Sequence, residues 1–153
     1  DRVVEMGRLG QKTGGGYFDY TEGSRKPVPN AEVTALVLAE SAPKGIERRD
    51  FGDDEILNAL TDLMTNEGAK ILEECIAMRP VDIDITYIFG YGYPAFRGGP
   101  MFRADAEGLA ACLERIEAAY TRTGDHAWKP SALLKQLVAE GQTFEQWSKA
   151  RAA

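Results

Sequence analysis

Apolar residues recur at three- and four-residue steps between positions 53 and 78, and this run constrains the fold more than any other feature of the chain. Its members are Ile56, Leu57, Leu60, Leu63, Met64, Ile71, Leu72, Cys75 and Ile76. Because an α-helix returns to the same face about every 3.6 residues, this spacing places them on one stripe. Acids at 53 and 54 favour a helix start, and Arg79-Pro80 favours its end. The sequence predicts a long helix over 53–78.

Shorter helical patterns lie on both sides of this run. Residues 2–7 resemble the last turns of a helix, and the others begin near Asn30, Asp82, Pro100, Ala106, Ser131 and Thr143. Before position 29 the density of glycine excludes regular helix, and only residues 17–20 alternate like a short extended segment. Residues 46–52 form a charged connector. We therefore expect an all-α array of antiparallel helices with an irregular, Gly-rich N-terminal arm.

Composition excludes several classes of protein. The chain has 153 residues, a formal net charge of -6 and 44% hydrophobic residues, which suits one globular domain with a core. An acidic surface repels phosphate backbones, so we expect no nucleic-acid partner. No apolar run is long enough to cross a bilayer, and no signal peptide is expected. Cys75 and Cys112 fall in helical patterns, so both are expected to be small core residues. Disulfide scaffolds carry more than two cysteines, which favours a reducing, cytoplasmic location.

Reactive chemistry is sparse in this sequence. His126 is the one histidine and lies in a loop, so a solvent-exposed side chain is favoured over a catalytic base. No Cys or His pair has the spacing of metal ligands, and no metal site is expected. Thr13-Gly14-Gly15-Gly16 could hold a phosphate with backbone N–H groups, but the strand and helix of a dinucleotide fingerprint are missing, so a flexible turn is favoured. We predict no catalytic or cofactor-binding residue.

Two further positions leave alternatives open. Arg97-Gly98-Gly99-Pro100 leads into a helix and could bind an anion, unless the N–H groups of that helix are already capped; a simple turn with Arg97 paired to an acid is favoured. Glu67 lies on the apolar stripe between Leu63 and Ile71 and is a candidate buried acid. A structural partner for an arginine or for the N-terminus of a neighbouring helix is favoured there over a functional acid.

Several segments resemble the C-terminal domains of the 3-hydroxyacyl-CoA dehydrogenase family. Residues 7–20, GRLGQKTGGGYFDY, look like the family segment GRLGxKTGxGFYxY, which closes one helical repeat. Residues 90–100, GYGYPAFRGGP, are similar to the GxGFPxxRGGP loop of the second repeat in the multifunctional β-oxidation subunit. Residues 66–68, 76–77, 82–84 and 141–144 extend the resemblance over nearly the whole chain. It implies a fold like the C-terminal domain of 6-phosphogluconate dehydrogenase.

The resemblance also implies a longer parent enzyme. That parent would join an enoyl-CoA hydratase domain, an NAD-binding Rossmann domain and two helical repeats, and its catalytic His, Glu, Ser and Asn would all precede this chain. Residues 1–29 would be the tail of the first repeat and 30–153 the second. The second repeat would brace the substrate cleft against the first repeat and the Rossmann domain, with a thiolase subunit as a possible further partner. The isolated chain would then be inactive and without cofactor.

Within that resemblance, the loop over 89–100 is the part expected to approach the acyl-CoA. Phe89, Tyr93 and Arg97 are the candidate contacts. Loss of the partner domains would expose apolar surface, so the isolated chain is expected to self-associate. The first residue is not Met, which suggests a piece of a longer protein. The competing interpretations are a stand-alone, non-catalytic interaction module and a small anion- or nucleotide-binding protein that uses the Gly-rich arm.

Overall fold

The structure, a computed structural model, describes residues 2–45 and 49–152, which form eight α-helices and one small sheet. The helices are α1 Arg2–Glu5, α2 Ala31–Ser41, α3 Asp53–Glu73, α4 Pro80–Tyr91, α5 Pro100–Glu107, α6 Leu109–Thr123, α7 Ala132–Glu140 and α8 Phe144–Ala152. The strands are β1 Phe18–Asp19 and β2 Val28–Pro29, which pair antiparallel with Phe18 opposite Pro29. The expected all-α class with an irregular N-terminal arm is confirmed. Part of the predicted connector, residues 46–48, lies outside the described residues.

Packing divides the chain into two compact units, Asp1–Asp50 and Phe51–Ala153. The second unit holds α3 to α8. Its core is made by small and aliphatic residues of α3, α4, α5, α6 and α7 together with Phe144 of α8. The division places α2 in the first unit, whereas the sequence grouped it with the second repeat. Where the repeat itself begins stays a prediction.

The first unit is organised around Arg8 and Asp19. The guanidinium of Arg8 donates to Asp19 Oδ1 over 2.5 Å and to the Gly16 carbonyl over 2.8 Å. The Asn30 side-chain amide donates to the other oxygen of Asp19, and Asn30 Oδ1 caps α2 by accepting from Val33 N. The bond from Asn30 and the pair with Arg8 lower the pKa of the Asp19 carboxyl. The Asn30 cap predicted from the sequence is thus confirmed.

Helix α3 is buried along a face that is largely polar. Its buried residues are Thr61, Asp62, Thr65, Asn66, Gly68, Ala69 and Leu72. Of the predicted apolar stripe only Leu72 is fully buried, whereas Ile56 and Leu60 are 47% and 56% exposed. The helix is confirmed, but it turns its polar face towards the core of its unit. It also ends at Glu73, before the predicted end near residue 78.

Hydrogen bonds explain how a polar face can be buried there. The Asn66 side chain donates to the carbonyls of Ala127 and Lys129 and accepts from Ser131 N, while Thr65 Oγ1 donates to the Pro100 carbonyl. Buried polar groups are stable when each finds such a partner. This face therefore joins α3 to the start of α5 and to the loop before α7.

A cluster of charges joins α3 to α5 and α6. Arg115 makes a bidentate pair with Asp62, at 2.6 and 2.9 Å, and also contacts Glu107 at 2.8 Å. Arg103 donates to Thr61 Oγ1 and Asn58 Oδ1. The hydrogen bonds that Arg115 donates to Asp62 raise the pKa of Arg115, and burial raises the pKa of the adjacent Cys112 thiol. Cys112 is therefore an inert core residue, as predicted.

Candidate functional site

The surface of the second unit contains an open apolar groove between α3 and α4. It has a volume of about 1060 Å³ and is lined mainly by Leu, Ile, Met and Tyr side chains. The α3 side contributes Leu57, Leu60, Thr61, Met64 and Ile71, and the segment from 76 to 94 contributes the rest, including Tyr87 and Tyr93. Ile76, Met78 and Tyr91 at its edge are each more than 70% exposed. Exposed apolar surface of this kind makes the groove a candidate interaction site.

The groove exists because most of the apolar stripe of α3 lies outside the core of its own unit, Leu72 being the member that is fully buried. Leu57, Met64 and Ile71 are only half-buried, and they face Ile83 and Tyr87 of α4 across the groove. The sequence correctly identifies these residues as one face of a helix. It does not show that the opposite, polar face is the buried one. Periodicity identifies the residues on one face of a helix, but not the element that packs against that face.

The structure corrects the prediction of a buried acid at Glu67. The Glu67 side chain is 61% exposed and pairs with Lys70 at 3.4 Å. Because the stripe itself is open to solvent, a carboxylate on it is not desolvated. Its charge still reaches the groove, since Glu67, after burial, is a cause of the raised pKa of Tyr87. The buried acids of this unit are Asp62 and Asp84.

Asp84 takes the structural role that the sequence assigned to Glu67. Its two oxygens accept from the backbone N–H groups of Met101 and Phe102, at 2.8 and 3.1 Å, and so cap α5. Burial, partly offset by these two bonds, raises the pKa of Asp84 to about 6. Gly99 is required beside it, because a Cβ there would lie 2.3 Å from Asp84 Oδ1.

This cap excludes the anion site considered at Arg97-Gly98-Gly99-Pro100. The first N–H groups of α5 already bind a carboxylate, so no donor is left for an external anion. Gly98 and Gly99 form the turn with φ of 76° and 103°, and Pro100 starts the helix, as the favoured alternative predicted. The guanidinium of Arg97 lies 5.3 Å from the centre of the Phe96 ring. Its expected acidic partner is not found among the described residues.

The three predicted acyl-CoA contacts differ sharply in exposure. Phe89 is 83% exposed and Arg97 is also exposed, whereas Tyr93 is 9% exposed. The Tyr93 hydroxyl is buried and has no hydrogen-bond partner among the described residues. Burial raises its pKa, and the charges of Arg103 and Arg97 oppose the rise. Arg97 therefore lies near Tyr93, and only Phe89 and Arg97 are open to an external ligand.

The Gly-rich arm is an ordered turn and not a phosphate cradle. Gly10 and Gly15 bond to each other in both directions, and Gly14 N and Gly16 N donate to the carbonyls of Gln11 and Phe18. The N–H groups that would hold a phosphate are therefore occupied. Thr13 Oγ1 accepts from Leu9 N within the same turn. The favoured turn is confirmed, although the prediction of flexibility did not anticipate these bonds.

Other candidate chemistry is not assembled by the fold. His126 is exposed in a short 3₁₀ turn, and Cys75 is exposed at the end of α3, against the prediction of a core residue there. Over residues 2–45 and 49–152, no group of three or more His, Cys, Asp and Glu side chains could hold a metal ion. No helix in the same ranges is long and apolar enough to span a membrane.

Fold and site together define an all-helical domain whose longest helix, α3, buries a largely polar, hydrogen-bonded face and leaves an apolar face exposed. Its family is shown by comparison with known proteins, since residues 56–150 match the model of the 3-hydroxyacyl-CoA dehydrogenase C-terminal domain. This chain belongs to that family. The resemblance noted in the sequence is thereby confirmed.

Similar proteins in two groups support this assignment. The chain is 41% identical over 151 residues to the peroxisomal bifunctional enzyme of Danio rerio, and 36% identical over 150 residues to that of Homo sapiens; each match covers 96% of the chain. It is 33% identical over 144 residues, 94% of the chain, to the fatty acid oxidation complex subunit alpha of Shewanella amazonensis. These matches cover 20 to 21% of the relatives. The chain thus spans about a fifth of their length.

A solved structure confirms the fold. The (S)-3-hydroxybutyryl-CoA dehydrogenase PaaH1 from Ralstonia eutropha matches with a TM-score of 0.55 and 26% sequence identity. The match covers 77% of this chain and 44% of that one. About three quarters of this chain therefore shares its fold with a part of that dehydrogenase.

Proposed function

We propose that this chain is the C-terminal helical part of a fatty-acid β-oxidation enzyme, an NAD-dependent 3-hydroxyacyl-CoA dehydrogenase fused to an enoyl-CoA hydratase. Its own task would be structural. It packs against the preceding helical repeat and the Rossmann domain, and so braces the cleft in which acyl-CoA and NAD react. The family, the names of the relatives and the small share of their length that the chain spans all support this role.

The observation that carries the proposal is the outward apolar face of α3. The helix buries Thr61, Asp62 and Asn66, whose polar groups are hydrogen-bonded within the second unit. It exposes Leu60 and Ile56, so its hydrophobic surface stays free to pack against another domain. Burial of that surface stabilises by about 25 cal/mol per Å² of apolar area. A neighbouring domain that covers the groove would therefore gain docking energy from this face.

Residues near the acyl-CoA can be proposed with more precision than the sequence allowed. Phe89 and Arg97 are accessible and could contact the acyl chain and an anionic group of CoA respectively. The Tyr93 hydroxyl is shielded, so Tyr93 would act only by holding the loop after α4 in place through its packing on Tyr87.

An assay of the isolated chain tests the structural role. The chain is mixed with NAD and a 3-hydroxyacyl-CoA, NADH absorbance is followed, and each ligand is titrated by calorimetry. No turnover and no NAD binding are expected, because the described residues assemble no catalytic set. Turnover or tight NAD binding would contradict a purely structural role.

A chimera tests the docking role directly. In the Danio rerio relative, the 151-residue matching segment is replaced by this chain, and dehydrogenase activity and thermal stability are measured. The chimera is expected to be active, and Leu60→Asp, which puts a charge into the groove, is expected to lower both quantities. Glu114→Lys on the exposed side of α6, outside the groove, is the control and should change neither. Equal behaviour of all three chimeras would instead favour a stand-alone interaction module.

A further inference from the structure

We propose that the α3–α4 groove is built for an amphipathic helix whose apolar stripe is flanked by lysine or arginine side chains. This inference rests on the proposed docking role, and it adds the chemistry of the surface that docks. The apolar floor supplies affinity without regard to charge. The acids around it select the sign of the partner.

Acidic residues lie at both ends of the groove face of α3 and at one position between them. Asp53 and Asp54 lie one helical turn before Leu57, and Glu67 lies between Met64 and Ile71 on the same face. Glu74 follows Ile71 at the end of the helix and is exposed. A helix that lies in the groove would thus have carboxylates near both of its ends and at Glu67 between them.

The basic residues near the groove are mostly neutralised by acids of their own. Lys70 pairs with Glu67 at 3.4 Å, and Arg79 pairs with Asp82 at 2.6 Å. Arg97, stacked on Phe96 near the Tyr93 end, is the exception. Each pair also uses one acid, but acids still outnumber bases around the groove when the pairs are counted, so its surroundings are acidic on balance.

The distribution of charge between the two units agrees with this local pattern. Residues 1–50 contain eight Lys and Arg against eight Asp and Glu, whereas residues 51–153 contain ten against sixteen. The whole net charge of -6 belongs to the unit that carries the groove. An acidic partner would be repelled there, and two copies of the groove face would repel each other, so a basic helical surface is the complementary occupant.

Two synthetic helical peptides test the inference on the full 153-residue chain. Both have about 18 residues, long enough for helix formation, and the same leucines at i, i+3, i+4 and i+7; one is flanked by lysines and the other by glutamates. Fluorescence anisotropy measures binding of each labelled peptide. The lysine peptide is expected to bind at least about tenfold more tightly at low salt, and added NaCl should shrink this ratio as the charges are screened.

Matched variants assign the effect to the groove. The double change Glu67→Lys and Glu74→Lys is expected to weaken the lysine peptide about five- to tenfold and to strengthen the glutamate peptide. Glu114→Lys adds positive charge away from the groove and should leave the ratio of the two affinities almost unchanged. Leu60→Asp should weaken both peptides, because it disrupts the shared apolar floor.

The outcomes separate this inference from the docking role. Equal binding of the two peptides, or the same loss with Glu114→Lys as with the double variant, overturns the basic-partner inference. No binding of either peptide also overturns it. The docking role would survive each of these results if Leu60→Asp still destabilised the chimera, and would fail only if the chimera were insensitive to Leu60.

Discussion

At the scale of single residues, two side chains are poorly accommodated by their own backbone or surroundings. Tyr93 buries a hydroxyl without a partner among the described residues, and Cys75 has a left-handed φ of 56°. In the family segment that resembles residues 90–100, phenylalanine stands where this chain has Tyr93. Each position offers a substitution expected to stabilise the chain.

Tyr93→Phe is expected to raise the free energy of unfolding by about 1 kcal/mol. The change removes a buried polar group that has lost its bonds to water, and it keeps the ring that packs edge-on against Tyr87. Urea denaturation followed by circular dichroism measures the difference. Tyr91→Phe, at a side chain 78% exposed, is the control and should change stability by less than about 0.5 kcal/mol. A loss of stability in Tyr93→Phe would show that the hydroxyl has an unseen partner.

Cys75→Gly is expected to stabilise the chain by about 0.5–1 kcal/mol. Cys75 follows the end of α3, where its N–H donates to the Leu72 carbonyl and Ile76 N donates to the Ile71 carbonyl. This arrangement requires a left-handed residue, and glycine adopts it without the steric cost of a Cβ. Cys75→Ala removes the thiol but keeps the Cβ, so it should give no gain in the same denaturation experiment. An equal gain in both variants would assign the effect to the thiol.

At the scale of elements, helix starts are capped both from within and from other helices. Ser131 caps α7 and Thr143 caps α8, as the sequence predicts, and Gln146 Oε1 completes a capping box by accepting from Thr143 N. Three helices also receive a carboxylate from elsewhere: α5 from Asp84, α7 from Glu73 and α8 from Asp105. Each of these satisfies N–H groups that a helix cannot bond internally. Such caps fix the relative positions of the helices around the core.

Asp84 makes the stability of the folded chain depend on pH. Its pKa is about 6 in the folded chain against an ordinary value of 3.8. The folded state therefore binds the Asp84 proton more tightly than the unfolded state does. The contribution of this proton to the free energy of unfolding is fully present below about pH 4 and is lost as the pH rises through 6. We expect the wild type to lose up to about 3 kcal/mol relative to Asp84→Asn between pH 4 and 7.

Urea denaturation of both proteins at several pH values measures this difference. Asp84→Asn keeps an oxygen acceptor for α5 but cannot ionise, so the other titrating groups cancel in the comparison. A difference that stays constant with pH would mean that Asp84 keeps an ordinary pKa in the fold. A difference that grows in favour of the wild type with rising pH would mean that the α5 N–H groups outweigh burial.

At the scale of the whole molecule, the exposed apolar face and the acidic charge oppose each other. The groove favours self-association of the isolated chain, whereas its acids repel those of a second copy. We therefore expect the apparent mass measured by light scattering to rise with protein concentration and to rise further with added NaCl. Leu60→Asp should shift the chain towards monomer. A monomer at all concentrations and salt levels would contradict an unpartnered apolar face.

The sequence by itself determined the local features of this protein. The helical periods, the caps at Asn30, Ser131 and Thr143, and the turn before Pro100 each depend on residues within a few positions of one another. The ordered series of family segments likewise predicted the family that the comparisons confirmed. These inferences were correct because helix formation and turn chemistry are local.

Only the tertiary structure decided which side of each helix is inside. The stripe of α3 was visible in the sequence, but its partner was not, so the buried face, the exposure of Glu67 and the groove could not be foreseen. The same holds for Asp84, whose partners in α5 lie 17 and 18 residues away. It also holds for Asp62, whose partner Arg115 lies 53 residues away. Burial and long-range pairing depend on how helices pack against one another, and a single sequence does not record that packing.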